Sequence, residues 1–116
     1  MKNILIIEDD ESIRKMIASV LEIEGYSISA AANGKQALET IQNGALPDII
    51  LLDMMMPVMN GWDFLDFVRA NATTSKIPII VVSAYAEIAK SVKPNAVVPK
   101  PVQLKSLLKA IEGLAA

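Results

Sequence analysis

Short runs of aliphatic and β-branched residues alternate with segments of helical periodicity along the whole chain. This alternation is typical of βαβ units and therefore of a parallel sheet covered by helices. The predicted strands are Asn3 to Ile7, Tyr26 to Ala31, Asp48 to Leu52, Ile77 to Val82 and Ala96 to Val98. The third run is the most apolar, as expected of a central parallel strand buried on both faces. The 116 residues suffice for one domain of ordinary size, so we predict a single α/β domain over residues 1–116.

The helical segments have recognisable start and stop residues. Gly25 and Asn43-Gly44 are typical helix ends, and Pro94 limits the fourth helix to about two turns. A Met-rich loop precedes the third helix, whose inward side chains are predicted to be Phe64, Leu65 and Val68. The predicted helices are Glu11 to Gly25, Asn33 to Gly44, one beginning near Gly61, Ala86 to Lys93, and a last one carrying Leu104, Leu107, Leu108 and Ile111.

The composition excludes several classes of function. The chain contains no cysteine and no histidine, which rules out disulfides, thiolate chemistry, imidazole metal sites and histidine triads. The net charge is −2 without any basic run, so we expect no nucleic-acid partner. The apolar run before Glu8 is only four residues long, too short for a signal peptide, and no apolar run approaches the length of a membrane span. We therefore expect a cytoplasmic protein without a membrane partner.

Polar residues follow four of the predicted strands, at the edge where open parallel sheets bind ligands. Strand one ends in Glu8-Asp9-Asp10, strand three in Asp53, strand four in Ser83, and strand five runs into Lys100. Asp48 begins the strand that Asp53 ends, so at ~3.3 Å per residue the two lie about 17 Å apart and only Asp53 belongs to the site.

Each of these residues also has a purely structural interpretation. Asp10 is expected to cap the first helix, and Ser83 is well suited to cap the fourth. Asp53 fits a turn, and Lys100 fits a solvated surface position. The combination favours a functional site, because several independent structural roles would all have to fall at one edge of one sheet.

Three carboxylates at this edge repel one another unless a cation joins them. Oxygen ligands without His or Cys favour Mg²⁺, which keeps several waters and uses one or two carboxylates. Four nearby methionines could suggest a soft metal, but without Cys or His partners we interpret them as packing residues. They are Met54, Met55, Met56 and Met59.

Four strings of the chain together resemble the bacterial response regulator receiver family. They are Ile4-Leu5-Ile6-Ile7-Glu8-Asp9-Asp10, Leu51-Leu52-Asp53-Met54-Met55-Met56-Pro57 with Gly61 beyond, Ser83-Ala84, and Pro99-Lys100-Pro101. The similarity covers essentially the whole chain, which resembles the stand-alone, chemotaxis-regulator-like type. It implies a flavodoxin-like, doubly wound sheet with strand order 2-1-3-4-5. Independently of the resemblance, Pro94 predicts a shortened or irregular fourth helix.

The resemblance also implies a role for each residue at the metal site. Asp53 would be the phosphoacceptor. Asp9, Asp53 and the backbone carbonyl of Met55 would hold Mg²⁺ directly, and Glu8 would order a metal-bound water. Positioning and charge stabilisation dominate phosphoryl transfer, so little covalent machinery is required.

The remaining roles concern the phosphoryl group. Lys100 would neutralise it during transfer, and Ser83 would bond it once attached. Pro101 resembles the cis-proline of the family, which directs the lysine into the site. Met55 and Tyr85 would flank the approach of a hydrolytic water and modulate the lifetime of the phosphorylated state.

Two departures from the family bear on output. Val97 occupies the position of the switch aromatic, and the fourth helix is short, so the usual output mechanism is not expected. The chain ends after the fifth helix, and we expect no DNA-binding or enzymatic output domain.

The sequence thus predicts a phosphoacceptor in a two-component phosphorelay, catalysing only its own phosphorylation and dephosphorylation. Its donor would be a sensor histidine kinase or a histidine phosphotransfer protein, its downstream target is an unidentified protein, and it would be a monomer or weak dimer.

One alternative is a receiver-like scaffold that binds partners without phosphorylation. An aspartyl phosphohydrolase fits less well, because Met55 stands where a second acid is expected. A flavodoxin-like nucleotide binder is disfavoured because Glu8-Asp9-Asp10 would repel phosphate.

Overall fold

The computed structural model describes residues 2–54 and 59–115 and contains five strands and five helices in strict alternation. Within those ranges, no helix combines the length and apolar character required to cross a bilayer. The strands are β1 Asn3–Ile7, β2 Ser27–Ala31, β3 Ile49–Asp53, β4 Ile79–Ser83 and β5 Ala96–Pro99. The helices are α1 Glu11–Ile23, α2 Gly34–Gln42, α3 Gly61–Ala70, α4 Ala86–Ser91 and α5 Leu104–Ala115.

All neighbouring strands are parallel and follow the order β2-β1-β3-β4-β5, which confirms the predicted fold class and strand order. Alternate side chains of β1 enter two separate cores, one on each face of the sheet. Leu5 and Ile7 pack with α2, α3 and α4, whereas Ile4 and Ile6 pack with α1 and α5. Every residue of β3 and of β4 is buried, as expected of strands covered on both faces.

Hydrogen bonding shifts several strand ends from their predicted positions. Asp48 precedes β3 rather than beginning it: its N–H donates to the carbonyl of Asn3 (2.8 Å), and its carboxylate accepts from the N–H of Asn3 (2.7 Å). Strand β4 begins at Ile79 instead of Ile77, because Pro78 has no N–H to donate and Ile77 belongs to a turn closed on Thr74. At their carboxyl ends, β3 and β4 extend to Asp53 and Ser83, one residue further than predicted.

The end of α1 explains why β2 begins at Ser27 rather than Tyr26. The N–H of Tyr26 donates to the backbone carbonyl of Leu21, and the N–H of Gly25 donates to the backbone carbonyl of Glu22. These two bonds form a Schellman motif. Gly25 has φ +96°, a left-handed conformation that a side chain would oppose. Gly25 therefore ends the first helix, as predicted.

The fourth helix is short, which the sequence predicts, and it ends two residues earlier than expected. It stops at Ser91, Val92 follows as its C-cap, and Lys93 takes a positive φ of 53° ahead of Pro94. The guanidinium of Arg69 donates to the Lys93 carbonyl (3.1 Å). Among the described side chains of α4, Ala89 alone is buried, so little apolar packing holds this helix to the sheet.

Candidate functional site

The predicted acidic cluster forms at the carboxyl ends of β1 and β3. These strands are neighbours in the sheet, so the residues that leave β1 lie beside Asp53, the last residue of β3. Glu8, Asp9 and Asp53 each present a carboxylate oxygen within 4.8 Å of the others. Glu8 and Asp53 are buried and Asp9 is exposed. The cluster lines an open cavity of about 280 Å³ together with Ser83, Tyr85 and Lys100.

Lys100 contributes the positive charge of the site. Its ammonium lies 2.9 Å from a Glu8 oxygen and 3.3 Å from Asp53 Oδ2, so one cation contacts both buried carboxylates. Its backbone N–H donates to the carbonyl of Ser83 (3.0 Å), which joins the ends of β4 and β5. The Lys100–Pro101 peptide bond is cis, as the family resemblance implied.

The surroundings shift the pKa values of Glu8, Asp9 and Lys100 in different directions. Burial raises the pKa of Glu8 from 4.5 to about 7, and hydrogen bonding to Asp53 adds to this effect while Lys100 opposes it. Partial burial acts to raise the pKa of Asp9, but hydrogen bonds with Glu8 and Asp53 outweigh it and the pKa is lowered. Burial also opposes the charge of Lys100, but its hydrogen bond with Glu8 and the charge of Asp53 raise its pKa overall. Glu8 is therefore more costly to ionise than Asp9.

Ser83 lies inside the cavity and does not cap α4. It is buried at the end of β4, where its hydroxyl accepts from the N–H of Tyr85 (3.0 Å) and approaches the Tyr85 carbonyl (3.3 Å). Tyr85, with a side chain that is largely exposed, holds the N-cap position of α4. The hydroxyl is thus bound to the loop that leads into α4.

Asp10 and Asp48 both lie outside the acidic cluster, as the sequence predicts, although Asp48 precedes β3 instead of beginning it. Asp10 caps α1, because its Oδ1 accepts from the N–H of Ile13 (2.9 Å). Asp48 precedes the opposite end of β3 and is bonded to Asn3. Asp10 and Asp48 therefore bond to nearby backbone groups and are not members of the acidic cluster.

Comparison with known proteins identifies the family of this chain. The family model described as "Response regulator receiver domain" matches residues 4–112. This chain belongs to the response regulator receiver family. Receiver domains are the signalling modules of two-component systems, and the acidic cluster of this one is compatible with Mg²⁺.

Individual relatives show the extent of the similarity. The chain is 30% identical to regulatory protein AtoC of Escherichia coli, covering 98% of this chain and 28% of that protein. It is 32% identical to response regulator MprA of a Mycobacterium species, covering 96% and 49% respectively. The chain therefore spans half or less of the length of these curated relatives. The solved structure of chemotaxis response regulator CheY4 of Vibrio cholerae is similar with a TM-score of 0.89, 31% identity and 98% coverage of both chains.

Met55 lies outside the described residues of this receiver domain, but both flanks of its loop are described. The N–H of Gly61 donates to the Met54 carbonyl (3.1 Å), and a Cβ at Gly61 would lie 2.5 Å from the Met54 sulfur. At Gly34, a Cβ would lie 2.9 Å from Met59 Cγ and 3.0 Å from the Met59 carbonyl oxygen. Both glycines thus permit close approach to the flanks of this loop.

The donor set of the cluster fits a hard divalent cation. Glu8, Asp9 and Asp53 offer three carboxylates and no soft ligand, and two of the three are buried beside a single ammonium. Mg²⁺ prefers this chemistry over the soft ligands that Zn²⁺ or copper would select. The described residues are therefore suited to hold Mg²⁺.

Val97 lies on β5, paired with Val81, and is partly buried against the core that contains Ala89 of α4. It has no ring that could rotate, and its β-branched side chain is stiff at χ1. Val97 therefore lacks the aromatic ring that the family has at this switch position.

Arg14 is a residue at this edge that the sequence analysis did not single out. Its guanidinium Nη1 donates to the carbonyl oxygens of Glu8 (2.8 Å) and Asp9 (3.4 Å). A cation near a helix N-terminus is disfavoured by the helix dipole, which is the one sequence signal that could have drawn attention to it.

Proposed function

We propose that this domain takes a phosphoryl group onto Asp53, in a Mg²⁺-dependent reaction, from a phosphohistidine on a partner protein. The observation that carries the proposal is the position of Asp53. Its buried carboxylate ends the central strand, joins Glu8 and Asp9 in a potential metal site, and contacts the ammonium of Lys100 at 3.3 Å. An aspartate placed only for structure would not require a second and third carboxylate and a lysine around it.

The transfer requires one bond exchange. A carboxylate oxygen of Asp53 attacks the phosphorus, and the bond between phosphorus and the imidazole nitrogen breaks. The imidazole leaves with the electron pair and regains a proton, and an acyl phosphate remains on Asp53. Negative charge on the transferring group is stabilised by the ammonium of Lys100, which already lies at the acceptor.

Asp9, Asp53 and the Met55 carbonyl would hold Mg²⁺ directly, with Glu8 acting through a water. When bound, the cation supplies positive charge that offsets the carboxylates and the incoming phosphoryl oxygens. Lys100 forms an ion pair with Glu8 in the described structure. A cation at the metal site would offset the charge of Glu8 in place of Lys100, which would leave the ammonium available to the phosphoryl group.

Ser83 is the group that would report phosphorylation to the rest of the domain. Its hydroxyl interacts with the backbone of Tyr85, and a phosphoryl oxygen on Asp53 is a stronger, charged acceptor. Exchange of the Tyr85 carbonyl for that oxygen would move the loop that leads into α4. We therefore propose that the signal is a changed protein-binding surface, received from a histidine kinase or phosphotransfer protein in the cytoplasm, and that the domain modifies only itself.

Incubation with acetyl phosphate, followed by intact mass measurement with and without Mg²⁺, tests the proposal. The wild type should gain one phosphoryl group only with Mg²⁺, and the label should be lost in base as acyl phosphates are. Asp53→Asn should abolish labelling because an amide is a poor nucleophile. Asp48→Asn is the matched control at the other end of β3, and it should label like the wild type because Asn keeps an oxygen for the N–H of Asn3.

Labelling of Asp53→Asn at the wild-type rate would exclude Asp53 as the acceptor. A wild-type protein that is never labelled, with or without Mg²⁺, would favour the scaffold alternative.

A further inference from the structure

Arg14, which lies outside the acidic cluster, bonds the backbone of the turn between β1 and α1. Arg14 contacts three consecutive carbonyls: those of Glu8 and Asp9 through its guanidinium, and that of Asp10 through its own backbone N–H (2.9 Å). Arg14 is partly buried, unlike its neighbour Lys15, which forms an exposed ion pair with Glu11 on the same helix. Arg14 therefore bonds the backbone that carries two of the three clustered carboxylates.

These bonds fix Glu8 from both sides. Its N–H donates to the carbonyl of Ala31 (3.1 Å), which continues the pairing between β1 and β2. Its carbonyl lies beyond the last residue of β1, and Arg14 supplies a charged donor to it at 2.8 Å. With both adjacent peptide groups bonded, the direction in which the Glu8 side chain leaves the backbone is set, and the following residue, Asp9, is bonded by the same nitrogen.

We propose that Arg14 is a positioning residue for Mg²⁺, holding Glu8 and Asp9 in the arrangement in which their carboxylates meet Asp53. The inference rests on the proposed Mg²⁺ site. Residues that orient metal ligands through hydrogen bonds commonly affect metal affinity about tenfold or more when they are replaced.

Charge and positioning make opposite predictions for this residue. Arg14 places a positive charge near three carboxylates, so a purely electrostatic role would oppose Mg²⁺, and its removal would tighten binding. A positioning role predicts weaker binding on removal, because Glu8 and Asp9 lose the bonds that direct them. The sign of the change in Mg²⁺ affinity therefore separates the two roles.

Isothermal titration calorimetry with Mg²⁺ alone, on the folded protein well below its melting temperature, measures that sign. Arg14→Met removes the donors and keeps an apolar stem, and it should weaken Mg²⁺ binding about tenfold. Lys15→Met is the matched control: it removes the same charge from the next position, and Mg²⁺ should bind it at least as tightly as the wild type. Arg14→Lys should recover part of the lost affinity, which restored charge alone would not do.

The outcomes distinguish this inference from the proposed function. If the wild type binds no Mg²⁺, both are overturned. If the wild type binds and Arg14→Met binds equally well or more tightly, only the positioning role of Arg14 is overturned. Should Arg14→Met fail to fold by circular dichroism, Arg14→Gln, whose amide reaches less far, replaces it under the same criteria.

Discussion

Glu8→Gln should stabilise the metal-free domain, and the gain should depend on pH. Glu8 is buried, with Asp9 and Asp53 as acidic neighbours and Lys100 as the opposing cation. Burial is the main reason that its pKa rises from 4.5 to about 7. A group whose pKa is higher in the folded state favours folding while it is protonated in that state, and this contribution is lost as it ionises.

The size and the pH window of the effect follow from that rise. Going from 4.5 to about 7, at roughly 1.4 kcal/mol per pH unit, corresponds to about 3 kcal/mol. Below pH 4.5 the side chain is protonated in both the folded and the unfolded state and carries no penalty. The penalty grows between pH 4.5 and 7 and is complete above pH 7. Glutamine has nearly the shape of protonated glutamate and never ionises, so the variant should escape this penalty.

Urea unfolding in EDTA at pH 5 and pH 8, followed by the fluorescence of the single tryptophan, Trp62, measures the effect. The advantage of Glu8→Gln over the wild type should approach 3 kcal/mol at pH 8 and fall below about 1 kcal/mol at pH 5. Glu22→Gln, at an exposed position of α1, is the control and should change stability by no more than about 0.5 kcal/mol at either pH. Equal differences at the two pH values, or a Glu8→Gln protein less stable than the wild type at pH 8, would refute the reasoning.

Two further predictions concern the phosphorylated state. Loss of the phosphoryl group from Asp53 should be slow, because Met55 and Tyr85 carry no carboxylate or amide to orient a hydrolytic water and are bulky enough to hinder it. Met55→Asn should accelerate the decay several-fold in a time course of intact mass, and an unchanged rate would contradict this. Beryllofluoride, a phosphoryl mimic, should alter hydrogen exchange across residues 84–96, because Ser83 bonds the loop into α4 and few apolar contacts hold that helix. Changes confined to the surroundings of Asp53 would exclude this route for the signal.

The sequence predicts the fold well because its strongest signals are periodic. Alternating strand and helix patterns, together with the stop residues Gly25 and Pro94, are sufficient for the element order and the short α4. The strand ends differ by one or two residues because they depend on individual hydrogen bonds, such as the paired bonds between Asp48 and Asn3 or the missing donor of Pro78. Periodicity carries no information about such bonds.

The composition of the site is also predictable, since parallel strands bring their carboxyl ends together. Two aspects of it are not. The sequence does not tell how the cost of burial differs between the neighbouring carboxylates Glu8 and Asp9. In the structure Glu8 is buried and bears it, whereas Asp9 is exposed and its ionised form is favoured. Nor does it reveal Arg14, because the contact joins a side chain to carbonyls five and six residues earlier in the chain, across the strand-to-helix turn.

The scarcity of buried side chains in α4 has a consequence for how such a domain can diversify. Glu87, Lys90 and Ser91 are exposed, and exposed substitutions usually change stability by less than about 0.5 kcal/mol. After gene duplication, the residues that α4 presents could therefore be exchanged at almost no folding cost while the sheet and the acidic cluster stay unchanged. Two copies of this domain could share one phosphorylation chemistry and still become insulated from each other's targets through a handful of substitutions in a single short helix.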